Sequence, residues 1–268
     1  MNYKKIKIFI RKIGYHSKPT FIIVGAQKAG TTGLYRTLIE HSQIVGSTRK
    51  EINYFDNDEW YLKNKIEEYH SYFPFPNKIA KSQLVFEATP EYLYHPKAAE
   101  RIFNYNSKMK IIIMLREPSS RAFSAWSMYH FNFKTGKNSS LHDPRTFKEA
   151  ISQDHKNIED SNFYNNQRGY IARGIYYKQI EEYLKYFPKE QVLFVESSRL
   201  LTDHENVMHR IFDFLNVQIE PVPLKIKNKS KKDTPNINHK DIDNLKDFYQ
   251  YYNEKLFDLI KQKYDWNV

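Results

Sequence analysis

The 268-residue sequence contains no cysteine. This absence excludes disulfide bonds, thiolate metal sites and a cysteine nucleophile, and it favours a reducing compartment. The ten histidines do not supply a metal site in place of thiolates, because they are scattered and none falls in an HxxxH or HExxH pattern. We therefore expect no bound metal.

Long apolar runs are also missing, and no stretch is long and apolar enough to span a bilayer. Residues 1–18 (MNYKKIKIFIRKIGYHSK) interleave isoleucines with cations and lack the apolar stretch and cleavage site of a signal peptide. Two interpretations of this basic N-terminal arm stay open. It is either a solvated arm or first strand, or an interfacial segment in peripheral contact with the anionic lipid of a membrane.

Acidic residues are too few to balance the basic ones, and the formal net charge is +11. Residues 1–18 hold six basic residues and residues 225–232 (KIKNKSKK) hold five, and neither run contains an acid. These two runs account for the whole net charge, so the rest of the chain is neutral. Because nucleic-acid-binding proteins spread basic charge over a face, we expect no nucleic-acid partner. A basic nucleic-acid-binding module stays the non-enzymatic alternative.

Strand patterns alternate with helical patterns from residue 20 onward. The run KIIIML has the near-continuous apolar character of a parallel strand that is covered on both faces. The alternation predicts an α/β fold with three layers and a mainly parallel central sheet, formed as one domain over residues 19–268. Strands are predicted at 20–25, 84–88, 110–115 and 191–196, and helices at 31–41, 95–105, 119–133, 146–153, 173–187, 203–215 and 240–263.

The segment GAQKAGTT (25–32) lies between the first predicted strand and a helix, a P-loop-like strand–loop–helix. Backbone N–H groups of such a turn and of the helix N-terminus point at one spot and form an anion site. Lys28 adds a charge, and Thr31 and Thr32 lie near the N-cap and add hydroxyl donors. The lysine precedes the second glycine, unlike in the Walker pattern GxxxxGK[ST], which argues against an ATPase or GTPase. By itself the segment also fits a tight turn with two caps.

A second candidate anion site follows the strongest strand. In LREPSSRAFS, Arg116 lies at the carboxyl end of that strand, the edge where open α/β sheets bind ligands, and Ser124 lies about two turns into the next helix. Ser119 and Ser120 are the candidate caps of this helix. The other interpretation is an arginine paired with Glu117 or a neighbouring carboxylate at the domain surface. Two anion sites on a neutral body indicate a ligand with two separated phosphates.

These segments resemble a known family. GAQKAGTT followed by LREPSSRAFSAW is similar to the two signature loops of sulfotransferases that use 3′-phosphoadenosine 5′-phosphosulfate (PAPS). The resemblance is to the heparan-sulfate-type and bacterial carbohydrate branch. It continues through RKEINYFD, FEATPEYLYHPKAAERI, RGIYYKQIEEYLKYFPKEQVLFVESSRL and FDLIKQKYDW, so it covers residues 20–266.

The resemblance implies a nucleotide site that binds PAPS and its product, adenosine 3′,5′-bisphosphate, without a metal. Its first loop would hold the 5′-phosphosulfate and its second loop the 3′-phosphate. A basic loop before the last helix would close over the nucleotide, although the glycine of the family's Lys-Gly-Arg is missing here. The implied nucleotide-binding residues are Gly25, Lys28, Ala29, Gly30, Thr31, Thr32, Arg116, Ser124, Ser230, Lys231 and Lys232.

The resemblance also implies the catalytic residues. Glu51 matches the family's general base, and Lys28 matches the lysine that contacts the bridging and sulfuryl oxygens. Asp56 matches a supporting acid, whereas Asn53 replaces a histidine often found in this motif. Glycosaminoglycan-modifying members carry Glu-Lys-Thr-Pro where this chain has Ala88 as the second residue, so heparan itself is not the expected acceptor.

The function predicted is transfer of a sulfuryl group from PAPS to a hydroxyl or amine of a carbohydrate or glycoconjugate. The enzyme alternative is a P-loop-type nucleotide kinase, which the fold permits. Aromatic residues in 57–83 and 134–166 are candidates for stacking on sugar faces: Trp60, Tyr61, Tyr69, Tyr72, Phe73 and Tyr164. Without cysteines or a membrane anchor, unlike Golgi-resident animal relatives, the chain fits a bacterial cytoplasmic enzyme.

Overall fold

The computed structural model describes residues 16–136, 142–159, 163–164, 168–225 and 238–266. These residues form two compact units. The first contains 16–26, 30–115 and 183–225. The second contains 27–29, 116–136, 142–159, 163–164, 168–182 and 238–266. That residues 19–268 fold as one domain stays a prediction.

The first unit is built on a five-stranded sheet in which every pair is parallel. Its strands are β1 (Phe21–Gly25), β2 (Ile44–Gly46), β3 (Leu84–Ala88), β4 (Lys110–Leu115) and β5 (Val192–Glu196), in the order β2-β3-β1-β4-β5. All of β1 is buried, as is β4 after Lys110. The predicted α/β class with a parallel sheet is confirmed.

β1 is the central strand, and it pairs with β3 on one side and β4 on the other. Phe21 lies opposite Phe86 of β3 and Lys110 of β4, and the register with β4 shifts between Ile23 and Gly25. After β1 the chain leads toward β2, whereas after β4 it leads toward β5 on the opposite side. Open sheets bind ligands at the carboxyl edge where neighbouring strands diverge in this way.

The helices cover most of the remaining described residues. They are α1 (Thr31–Leu38), α2 (Asp58–Leu62), α3 (Ile66–His70), α4 (Ala98–Tyr105), α5 (Pro118–Thr135), α6 (Phe147–Glu159), α7 (Tyr176–Tyr186), α8 (Arg199–Thr202), α9 (His204–Leu215) and α10 (His239–Ile260). Single 3₁₀ turns occur at Pro76–Lys78, Ala172–Gly174 and Lys189–Gln191. Among the described residues, no helix is long and apolar enough to cross a membrane.

Several predicted boundaries differ from the observed ones. Sequence patterns missed β2, α2 and α3, because three to five residues are too few to display a period. The helix predicted from residue 173 begins at Tyr176, after a 3₁₀ turn that ends at Gly174. A Cβ at Gly174 would lie 2.5 Å from the Tyr249 hydroxyl, so only glycine permits this approach. The helix predicted at 146–153 extends to Glu159.

The core of the second unit is formed by α5, α6, α10 and the turn before α7. The apolar faces of these elements meet in one buried cluster: Ala122, Ala125, Trp126, Tyr129, Phe147, Ala150, Ile151, Tyr170, Ile171, Ile175, Leu245 and Tyr249. Burial of this apolar surface holds α5, and with it the segment from Arg116 to Ser124, against the rest of the unit.

Candidate functional site

The loop after β1 begins at a glycine for steric reasons. A Cβ at Gly25 would lie 2.5 Å from the Cβ of Leu93, so any larger residue would push apart the end of β1 and the segment after β3. Later in the loop, Lys28 has φ 68° and Gly30 has φ 90°. A left-handed lysine costs about 1–3 kcal/mol, and such residues cluster at ligand-binding sites.

Helix α1 begins without a side-chain cap. Its N-cap residue is Gly30, and Thr31 and Thr32 are the first two helical residues. Neither threonine caps the helix, so the interpretation of this segment as a tight turn with two capping threonines is wrong. The N–H groups of the first turn therefore have no side-chain acceptor at the N-cap, which is the condition for anion binding at a helix N-terminus. Thr31 is buried and Thr32 is exposed, while Ala29 is fully buried.

Lys28 and Arg116 are brought together within the second unit. Arg116 Nη1 donates to the carbonyl oxygen of Lys28 at 3.2 Å. The Lys28 amine lies 3.6 Å from Met128 Sδ on α5, and the neighbouring Gln27 donates to the Tyr129 hydroxyl at 3.1 Å. The two predicted anion-binding segments thus meet where the guanidinium of Arg116 contacts the backbone carbonyl of Lys28.

Glu117 does not fit the interpretation in which it only neutralises Arg116. Its two carboxylate oxygens accept hydrogen bonds from the backbone N–H groups of Ser119 and Ser120, each at 2.7 Å. Glu117 is therefore the side-chain cap of α5, and the prediction of Ser119 or Ser120 as the cap is wrong. A carboxylate satisfies the first-turn donors of α5 more strongly than a serine hydroxyl does, because it is charged.

Two arginines lie near each other in the second unit, Arg116 half-buried and Arg121 fully buried. Burial lowers the pKa of Arg116, and the neighbouring charge of Arg121 lowers it further. Arg121 is fully buried, donates to the Tyr170 carbonyl, and has Nε and Nη1 without a hydrogen-bond partner among the described residues. Two neighbouring cations, of which Arg121 has unpaired donors, fit a phosphate-bearing ligand, whose charge would offset their burial. Ser124 lies half-buried on α5 in this unit.

Glu51 lies in a loop of the first unit and is exposed to solvent. Its side chain is 57% exposed, and the Lys50 amine donates to Oε1 at 2.5 Å. Glu51 and Asn53 both have φ 59° in the left-handed region. Asn53, which replaces the family's histidine, donates to Asp56 Oδ2 at 2.8 Å. The carboxylate is thus placed on an unusual backbone and is accessible to a substrate.

Glu87, at the carboxyl end of β3, is a functional candidate that the sequence patterns did not single out. It is fully buried, and it accepts hydrogen bonds from the hydroxyls of Tyr69 (2.9 Å), Tyr92 (3.0 Å) and Thr89 (2.8 Å). Burial raises its pKa from 4.5 to about 7. The signal that could have identified it is a carboxylate inside the apolar strand LVFEA.

The raised pKa of Glu87 predicts a pH-dependent stability. A carboxyl whose pKa is higher in the folded state stabilises the fold fully below its unfolded pKa, near 4.5, and this contribution is lost as pH rises to about 7. At 1.36 kcal/mol per pKa unit, the loss is about 3 kcal/mol. Glu87→Gln should therefore gain stability relative to wild type between pH 4.5 and 7, as measured by urea denaturation. Equal pH slopes in both proteins would contradict this assignment.

The basic loop lies mostly outside the described residues. Ser230, Lys231 and Lys232 fall within 226–237, which the structure does not describe, so their nucleotide-binding role stays a prediction. At the start of the run, the Lys225 N–H donates to Thr37 Oγ1 at 3.1 Å, and its amine lies 3.5 Å from Glu40.

The candidate acceptor-binding aromatics separate into two groups. Tyr69 and Phe73 are buried in the core of the first unit, so they pack there and do not stack on a sugar in this arrangement. The others are partly exposed: Trp60, Tyr61, Tyr72 and Tyr164. These partly exposed rings keep the predicted role.

One cluster brings together side chains of metal-ligating type. Ligand atoms of His16, Glu67 and His70 lie within 4.8 Å of one another. However, the two imidazoles stack with centroids 3.9 Å apart and 13° between their planes. The lone pair of a ring nitrogen lies in the plane of the ring. In two stacked imidazoles the lone pairs therefore lie in two nearly parallel planes and do not converge on one ion. The absence of a bound metal stays a prediction.

Comparison with known proteins decides the family. The model of the family described as "Sulfotransferase domain" matches residues 18–264, nearly the whole chain. The chain belongs to the sulfotransferase domain family. The resemblance in its signature segments is thereby confirmed.

Relatives of this sulfotransferase domain include carbohydrate-modifying enzymes. It is 34% identical over 199 residues to mouse heparan sulfate glucosamine 3-O-sulfotransferase 5, covering 74% of this chain and 54% of that protein. It is 26% identical to the membrane-associated sulfotransferase kil1 of Dictyostelium discoideum, covering 92% of this chain and 66% of that protein. The chain thus spans about half the length of the first of these relatives and two thirds of the second.

Solved structures resemble the sulfotransferase domain along most of its length. A sulfotransferase from Alicyclobacillus acidocaldarius superposes with a TM-score of 0.72 at 26% identity, over 94% of this chain and 100% of that one. Mouse sulfotransferase SULT7A1, solved in complex with PAP, gives a TM-score of 0.50 at 15% identity, over 81% of this chain and 65% of that one. The second likeness concerns the fold alone.

Proposed function

We propose that this chain transfers a sulfuryl group from PAPS to a hydroxyl or amine of a carbohydrate or glycoconjugate. The observation that carries the proposal is the hydrogen bond from Arg116 Nη1 to the Lys28 carbonyl, which joins the two anion-binding segments. A donor nucleotide with a 5′-phosphosulfate and a separate 3′-phosphate needs two such segments. Family membership and the carbohydrate-modifying relatives support the same reaction.

The proposed roles divide the donor nucleotide among the chain's residues. The 3′-phosphate is assigned to Arg116 and Ser124, where a guanidinium can bind phosphate with two parallel hydrogen bonds. The basic loop with Ser230, Lys231 and Lys232 is assigned to closure over the nucleotide. The 5′-phosphosulfate is assigned to the loop after β1 and the start of α1: Gly25, Lys28, Ala29, Gly30, Thr31 and Thr32.

The proposed chemistry needs one base and one cationic group. Glu51 accepts the proton of the acceptor hydroxyl while the oxygen of that hydroxyl forms a bond to sulfur. The bond between sulfur and the bridging oxygen breaks, and adenosine 3′,5′-bisphosphate leaves. Lys28 and the loop N–H groups stabilise the negative charge that develops on this oxygen. No step calls for a metal ion.

Calorimetry with adenosine 3′,5′-bisphosphate tests the nucleotide site without knowledge of the acceptor. We expect the wild type to bind it, and to bind adenosine 5′-monophosphate more weakly because the 3′-phosphate contact is lost. Arg116→Ala should weaken bisphosphate binding by about 10- to 100-fold, the value of a charged hydrogen bond, and leave monophosphate binding unchanged. The matched control is Arg210→Ala, which removes an exposed arginine of α9.

Each calorimetric outcome bears on a different statement. A wild type that binds no bisphosphate would refute the proposed function. If the wild type binds it, but Arg116→Ala binds it equally well, only the assignment of Arg116 fails.

The acceptor is proposed to be a carbohydrate other than heparan. Ala88 stands where glycosaminoglycan-modifying members carry a lysine, so a contact with an anionic sugar is missing. Ala88 is fully buried at the end of β3, and its carbonyl accepts from the Glu51 N–H. A screen of neutral and anionic glycans with sulfur-labelled PAPS identifies the acceptor class, and preferential labelling of heparan would contradict this proposal.

The proposed setting is the cytoplasm of a bacterium, without a metal cofactor. The absence of cysteine supports a reducing compartment. The basic arm at 1–18 is proposed either to stay solvated or to contact anionic lipid at a membrane surface, and most of it lies outside the described residues. A relative carries the description "membrane-associated", which is compatible with the lipid alternative.

A further inference from the structure

Two hydrogen bonds hold the loop that carries Glu51. The Glu51 N–H donates to the Ala88 carbonyl at 2.9 Å, and the Tyr54 N–H donates to the Tyr92 hydroxyl oxygen at 3.0 Å. Between these two points, Glu51 and Asn53 both adopt the left-handed conformation. Such a backbone is unfavourable for residues other than glycine and persists only where its surroundings hold it in place.

The Tyr92 hydroxyl is itself oriented by Glu87. Tyr92 is fully buried and has one hydroxyl proton, which it donates to Glu87 Oε1 at 3.0 Å. This leaves a lone pair of the hydroxyl oxygen to accept from the Tyr54 N–H. Without an acceptor at Glu87, the proton would be free to rotate toward that N–H group and disrupt the contact. The chain of hydrogen bonds therefore runs from Tyr54 through Tyr92 to Glu87.

We propose that Glu87 is a positioning residue, which acts through Tyr92 to hold the loop that presents Glu51 to the acceptor. The inference rests on the proposed role of Glu51 as general base, and it assigns to a residue at the end of β3 a role in holding the loop and none in the reaction itself. Glu87 itself touches no reacting atom, because it is fully buried beneath Tyr69, Tyr92 and Thr89.

The chain offers a matched control in Tyr69. Its hydroxyl donates to the same oxygen, Glu87 Oε1, at 2.9 Å, and its side chain is also fully buried. Its ring stacks on that of Tyr54 with centroids 4.9 Å apart, a contact that survives removal of the hydroxyl. Tyr69→Phe and Tyr92→Phe therefore each remove one buried hydroxyl from the same carboxylate, but only Tyr92→Phe also removes the acceptor of the Tyr54 N–H.

The test compares these variants by hydrogen exchange in the full chain. We expect Tyr92→Phe to accelerate exchange at the Tyr54 amide by about tenfold relative to Tyr69→Phe, the equivalent of one hydrogen bond. Exchange at the amides of β1 should be equal in both. Release of labelled sulfate from PAPS, with water in place of the acceptor, should fall in Tyr92→Phe, while bisphosphate binding stays at the wild-type level in both.

Substitutions at Glu87 give an independent readout. In Glu87→Gln the amide oxygen still accepts from Tyr92, so sulfate release should be retained. In Glu87→Leu the acceptor is absent, so release should fall as in Tyr92→Phe. Equal exchange at Tyr54 and equal sulfate release in the two tyrosine variants would overturn the proposal. A wild type that binds no bisphosphate would instead refute the proposed function, so the two failures are distinguishable.

Discussion

Glu51→Gln is expected to lower sulfotransfer by about 1,000-fold, within the range found for removal of a general base. Glutamine has the shape of glutamate, but its amide cannot take the proton that the acceptor hydroxyl loses. The side chain is 57% exposed and held to the Lys50 amine, so the substitution removes no buried contact. Stability should therefore be unchanged. The measurement is label transfer from sulfur-labelled PAPS to the glycan pool.

The matched control for this substitution is Glu59→Gln. Glu59 is 64% exposed and pairs with Lys63 at 2.8 Å, so its charge, exposure and partner resemble those of Glu51. We expect the control to transfer sulfate at the wild-type rate and both variants to bind adenosine 3′,5′-bisphosphate normally. An active Glu51→Gln protein would reject the role of base, without affecting the assignment of the nucleotide site.

Lys28→Met should lower sulfotransfer by about 100- to 1,000-fold, comparable to the loss of one group that stabilises transition-state charge. Methionine is one atom shorter than lysine but keeps an unbranched apolar stem that can pack near Met128, where the lysine amine lies 3.6 Å from Sδ. The substitution removes the charged amine and its N–H donors. The loss should appear mainly in the maximal rate, because the charge on the leaving oxygen develops during the reaction.

Two further variants separate the effect of the charge at position 28 from the effect of its left-handed backbone conformation. Lys28→Arg keeps the charge and should retain more activity than Lys28→Met. Lys28→Gly removes the charge but relieves the left-handed conformation at φ 68°, so it should be as inactive as Lys28→Met and no less stable than the wild type. A Lys28→Met protein with wild-type rate would exclude Lys28 from the chemistry.

The strands β3 and β4 could be predicted to the residue. Parallel strands covered on both faces are continuous apolar runs. LVFEA lies between Gln83 and Thr89, and KIIIML begins at Lys110 and ends before Arg116. β2 could not be predicted, because its three residues hold no pattern and it forms only by pairing with β3. Local conformational preference is weak in so short a segment, and pairing with the neighbouring strand determines that it is extended.

The sequence could nominate candidate site residues where one continuous segment carries the donors. A glycine-containing turn between a strand and a helix places N–H groups together through local geometry, so the loop at 25–32 could be recognised. The cap of α5 could not be predicted, because serine is a preferred N-cap residue and glutamate is not. Only the folded structure shows that the two carboxylate oxygens of Glu117 accept from the backbone N–H groups of Ser119 and Ser120.

By itself, the sequence determined the α/β class and predicted the two candidate anion-binding segments, because each depends on residues close together in the chain. The candidate base Glu51 was predicted from the resemblance to the family. Only the tertiary structure decided that Arg116 bonds the carbonyl of Lys28, and that Glu87 receives the hydroxyls of Tyr69 and Tyr92. The physical reason is that the contact between Arg116 and Lys28 joins distant parts of the chain, whereas the direction of the Tyr69 and Tyr92 hydroxyls toward Glu87 depends on how the core packs. The pKa of a carboxyl depends on what surrounds it after folding, and no local pattern records that environment.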